Sequence, residues 1–77
     1  MSNNEANIVK EERFTRVAEK RTNAIIRSLR SLSNCANTRN YSYTDTQVRK
    51  IIKAIENEID SLKKVFNTRA GQKKFEL

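Results

Sequence analysis

Tyr43-Thr44-Asp45-Thr46-Gln47, followed by Val48, Ile52, Ile55, Ile59, Leu62 and Phe66, is the stretch that decides the fold. The apolar positions advance by alternate steps of four and three, which keeps one stripe of an α-helix turned toward a neighbour. Thr44 is placed to cap that helix. Its hydroxyl accepts a backbone N–H, while Gln47, three residues on, reaches back to the Thr44 backbone. Tyr43 before the cap and Val48 at the fourth helical position have the spacing of a hydrophobic staple. Asp45 suits the positive end of the helix dipole, and Lys63 and Lys64 suit the negative end. The spacing predicts a helix over residues 45–67, roughly 33 Å long at about 1.5 Å per residue.

Upstream, Phe14, Ala18, Ile25, Leu29, Leu32 and Ala36 recur at helical spacing, with Val17 and Arg21 on the flank. They predict a first helix over about residues 9–34. There is no proline, and the one glycine is Gly71. Turn-forming residues cluster only at Ser33-Asn34-Cys35-Ala36-Asn37-Thr38-Arg39-Asn40, in mid-chain. One break between two periodic segments predicts an all-α fold: an antiparallel two-helix hairpin with a loop over about residues 35–43. Residues 1–8 are expected to be a disordered leader and residues 68–77 a flexible basic tail in which Phe75 and Leu77 could dock.

Seventy-seven residues make one small domain with a limited core. The single Cys35 rules out an intrachain disulfide, and the absence of His leaves no zinc cluster. Extra stability is therefore expected from self-association. Ile51, Ala54 and Val65 widen the apolar surface of the second helix beyond its stripe, and Ile26 lies off the stripe of the first. Ile26, Ile51 and Val65 are accordingly the candidates for an oligomer or partner interface, with two hairpins forming a four-helix bundle as a homodimer. The polar N-terminus, the single cysteine and the lack of an apolar run near the roughly 20 residues of a membrane span predict a cytoplasmic protein with no membrane partner.

The chemistry for catalysis is thin. Histidine, the commonest general base, is missing. Cys35 has no histidine to activate it, and it reads as a small residue packed at the helix end. Glu56, Glu58 and Asp60 lie on different sides of their helix and read as a solvated polar face. No phosphate loop, nucleotide fingerprint or calcium loop is present. These observations predict a protein that is not an enzyme, with no cofactor, metal or small-molecule substrate.

Charge carries more information. Sixteen Lys and Arg against nine Asp and Glu give a formal charge of +7, a balance that serves either solubility or an anionic partner. Arg13, Arg16, Lys20, Arg27 and Arg30 project from the side of the first helix opposite its apolar stripe. That makes about 25 Å of positive rod suited to phosphates, with Glu12 and Glu19 at its margin. Arg49, Lys50 and Lys53 form a second cluster at the start of the other helix, and Arg39 adds a cation in the loop. In an antiparallel hairpin these groups gather at the loop end. Asn37, Asn40, Tyr41 and Tyr43 crowd the same connection. They could contact exposed bases by hydrogen bonding and stacking. Equally, Asn suits turns through its tolerance of positive φ, and the tyrosines could lid the helix pair. The partner expected is nucleic acid or an acidic protein surface.

Three strings carry a resemblance: Arg13-Phe14-x-x-x-Ala18-Glu19-Lys20-Arg21-Thr22-Asn23, Asn34-Cys35-x-Asn37-x-x-Asn40-Tyr41-x-Tyr43-Thr44, and Ile51-x-x-Ala54-Ile55-Glu56-x-Glu58-Ile59. Over about residues 11–66 the chain resembles short helical proteins encoded on plasmids, integrative elements and phages of Gram-positive bacteria, a group without an assigned function. The resemblance implies a setting, not a mechanism. Accessory proteins of mobile elements are often DNA-associated factors or inhibitors of host defence nucleases, anti-CRISPR proteins among them. A structural helical adaptor is the third class that the pattern admits.

Overall fold

A computed structural model describes the backbone of residues 2–74 and the side chains of residues 6–69. It contains two long helices, α1 (Ser2–Ser33) and α2 (Asp45–Lys74), with a 3₁₀ turn at Asn34–Ala36 after the first. No strand occurs among the described residues, so the protein is all-α. The chain divides into two units, Met1–Tyr41 and Ser42–Leu77, with one helix in each.

Both helices are longer than their apolar stripes. α1 begins at Ser2, not near Val9, so the segment expected to be a disordered leader is helical from Ser2 onward. α2 runs through Gly71 to Lys74, beyond the expected end near Asn67. The physical reason is shared. Once a helix is nucleated, each added residue contributes its own hydrogen bond, and only a proline or an alternative set of bonds stops it. Neither flank holds a proline, and a single internal glycine costs only about 1 kcal/mol. One consequence is a correction: Lys63 and Lys64 sit well inside α2, ahead of the last turn where the dipole acts. Phe75 and Leu77, the docking candidates of the tail, lie outside the described residues.

The end of α1 is built from side chains that compete for the backbone. The Ser33 hydroxyl donates to the Leu29 carbonyl at 3.1 Å, the back-bonding typical of serine late in a helix. The helix then tightens into the 3₁₀ turn, closed by the Asn37 N–H donating to the Asn34 carbonyl at 3.2 Å. Asn37 itself is extended, with φ −69° and ψ 107°, and that conformation stops the helix.

α2 starts as its sequence predicts. The Thr44 N–H donates to Gln47 Oε1 at 2.8 Å, and the Gln47 N–H donates to Thr44 Oγ1 at 3.1 Å. The Val48 N–H donates to the Thr44 carbonyl at 3.1 Å, the first rung of the helix. Two donors that the helix cannot satisfy internally are thereby paired within four residues.

No described side chain is buried. Val17, Ala18 and Ile55 are half-buried, and the rest of both stripes is exposed, Phe14 by 59% and Phe66 by 53%. Helices of this kind draw most of their stability from packing an amphipathic face, not from propensity. These stripes are the surfaces that such packing would use.

Thr44→Ala is expected to remove about 1 kcal/mol from the start of α2. A urea titration followed by circular dichroism should show a lower midpoint, with Thr44→Ser staying close to wild type.

Candidate nucleic-acid interface

Successive residues on a helix turn by about 100°, so the cations of α1 can be placed by angle. Arg13, Arg16, Lys20, Arg27 and Arg30 fall within an arc of about 100°, centred opposite the stripe formed by Phe14, Ala18, Ile25, Leu29 and Leu32. All five cations are exposed, and α1 is unbroken across them. A regular helix thus holds five positive side chains in one fixed row. Lining up charges in this way is what contact with a regular array of phosphates requires. Asn23 occupies the same face in the turn between Lys20 and Arg27, and it too is exposed. Glu12 and Glu19 lie along one margin of the arc.

On α2 the same placement puts Arg49, Lys50 and Lys53 within about 100° of one another, away from the stripe, with Lys64 further along the face. All are exposed. Arg39 and Tyr41 belong to the first unit, while Tyr43, Arg49, Lys50 and Lys53 belong to the second. The helical cations form two faces, one on each helix.

The connection between the helices is organised by Asn37. Asn37 Oδ1 accepts the Arg39 N–H at 3.0 Å, and the Asn37 carbonyl accepts the N–H groups of Asn40 at 3.2 Å and Tyr41 at 3.0 Å. One residue thus organises the backbone up to Tyr41. Asn37 does this from an extended conformation, and no non-glycine residue among those described has a positive φ. The reason first assigned to asparagine here, its tolerance of positive φ, is replaced by its side-chain acceptor, as in an Asx turn. The oxygen of Asn37 is occupied by this turn. Tyr41 and Asn40 remain exposed.

Cys35 is exposed in the 3₁₀ turn, not packed against the helix end. The described residues around position 35 are all exposed, and none encloses the thiol. Ile26, Ile51 and Val65 are 37, 44 and 52% exposed, so the α2 pair is the more open of the interface candidates.

The chemistry on offer is electrostatic and apolar. Among the described residues, no group of three or more His, Cys, Asp or Glu is arranged to hold a metal ion. Among the same residues no helix is long and apolar enough to cross a membrane. The grooves on α2, one running past Val48, Arg49, Ile52 and Lys53 and one past Lys64, Val65, Thr68 and Arg69, are open to solvent. No protein-family model, curated protein or solved structure matches the chain.

Asn37→Ala should weaken the turn by about 1 kcal/mol, or roughly fivefold faster exchange of the Arg39 amide proton. Asn37→Asp retains an acceptor at the same position and is expected to exchange like wild type; hydrogen-exchange NMR reads both.

Proposed function

We propose that this chain is a small, non-enzymatic cytoplasmic protein that binds nucleic acid through the cationic face of α1, with Arg49, Lys50 and Lys53 of α2 adding charge. The observation that carries this reading is the row of five exposed cations, Arg13 to Arg30, on one face of an unbroken helix. A solubility charge has no need of order, whereas phosphate contact rewards cations held on one face of a rigid rod. The kinship with mobile-element proteins suggested by the three strings fits the same role, as a DNA-associated accessory factor.

The fold proposed with it is an antiparallel hairpin that pairs with a second copy into a four-helix bundle. Support comes from the mirror symmetry of the two stripes about Asn40. Leu32 and Val48 stand equally far from it in sequence, as do Ile25 and Ile55, Ala18 and Leu62, and Phe14 and Phe66. Folding the chain at that point would set apolar against apolar at four levels. Ile59 mirrors Arg21, a charged residue on the flank of the α1 stripe. Ile51, Ala54 and Val65 lie to one side of the α2 stripe and supply the surface for the second copy. That exposed flank also favours a second reading, in which the protein is a helical adaptor whose apolar surface matters more than its charge.

Binding to a fluorescent oligonucleotide, followed by anisotropy, is expected to weaken by orders of magnitude between about 50 and 200 mM salt if several phosphates are contacted. No binding at the lower salt would overturn the proposal. Arg27→Glu should abolish binding and Ile26→Asp should spare it; the opposite pattern would favour the adaptor. In sedimentation velocity, the wild-type chain should run at twice its 9.0 kDa mass and Ile51→Asp should run as a monomer. A monomeric wild type at high concentration would remove the bundle.

A further inference from the structure

We infer that the ligand of α1 is the major groove of duplex DNA, and that Asn23 is the residue that reads a base edge in it. This inference rests on the nucleic-acid reading above and narrows it to one class of ligand and one specificity residue.

The cations on this face of α1 are not evenly spread, Lys10 and Arg21 lying off it. Arg13, Arg16 and Lys20 form one group, and Arg27 and Arg30 form another. The gap from Lys20 to Arg27 is about 10 Å along the axis at about 1.5 Å per residue. A B-form major groove is about 12 Å wide and admits an α-helix, with a phosphate backbone on each side. Two cationic groups separated by a short uncharged interval match two phosphate backbones separated by a groove. Phosphate contacts at both ends would fix the position of the helix, and residues in the interval would face the bases.

Asn23 is the residue on that face within the interval. It is exposed, and asparagine is the side chain that pairs in bidentate fashion with the N6 and N7 edge of adenine. Ala24 follows at the edge of the face, with a methyl group of the size that contacts the thymine methyl. The interval therefore carries the side chains for an A·T pair, flanked by side chains for phosphate. Single strands are usually held by aromatic rings on which bases stack. Between Arg13 and Arg30 the cationic face carries no aromatic residue; Phe14 lies on the opposite side, in the apolar stripe. Duplex RNA fits poorly as well, because its major groove is deep and too narrow for side chains to read.

The experiment compares the full-length chain on a duplex DNA, a single strand of the same sequence and a duplex RNA, by anisotropy at low salt. It is followed by selection from a pool of randomised DNA duplexes. Duplex DNA is expected to bind about tenfold or more tightly than either alternative, and the selected pool to converge on a site containing an A·T pair. Asn23→Ala, an exposed change to a better helix former, should keep binding to unselected duplex within about twofold while losing the A·T preference at one position. Arg27→Ala should instead weaken all duplexes alike and lower the salt slope by about one. Equal affinity for all three nucleic acids, or an Asn23→Ala variant that selects the same site, overturns this inference and leaves the broader reading standing. Failure to bind any nucleic acid removes both.

Discussion

Six apolar side chains of α2, from Val48 to Phe66, lie in one narrow stripe, and a single helix has no means of taking them out of water. The same holds for the stripe of α1. Fully burying one Ile, Leu or Phe side chain is worth about 1.5–3 kcal/mol, whereas a helix of moderate length is marginal in water without packing. The stripes therefore govern everything else about the molecule. They set which side of each helix is free for other work, and they make any stable state of the chain depend on what lies against them.

Helix geometry then ties architecture to charge. On α1 the centre of the cationic arc lies opposite the centre of the apolar stripe, so covering the stripe leaves the row from Arg13 to Arg30 facing outward. The two properties are not independent. A shift of the stripe by one residue, about 100° of rotation, would turn the cations toward whatever covers the helix. Arg21 is the exception, set on the flank of the stripe. A cation there has to reach the edge with its charge while its methylene stem lies along apolar surface, as long basic side chains do.

The connection between the helices spends its polar side chains on its own backbone. Ser33 bonds to Leu29, Asn37 to Arg39, and Thr44 and Gln47 to each other. Such bonds stop one helix at Ser33 and start the next at Asp45, and they engage groups that would otherwise be available to a ligand. Asn40 and Tyr41 of the connection stay exposed, as does Asn23 in the middle of α1, which alone of the three lies on the cationic face of a helix.

Much of this was legible in the sequence because it is local. The capping box is set by residue types three positions apart, and the stripes and the cationic row follow from a period of 3.6 residues. All three are readable without knowing what packs where. The two-helix, all-α character follows from a chain with one turn-forming cluster and no proline. The structure decided the rest. How far each helix extends, to Ser2 at one end and Lys74 at the other, depends on many small propagation terms that no single residue announces. That Asn37 works through its side-chain oxygen and not through a left-handed backbone depends on the path taken out of the 3₁₀ turn. Cys35 is exposed together with all its neighbours, because burial depends on what lies against the turn and not on the residue type.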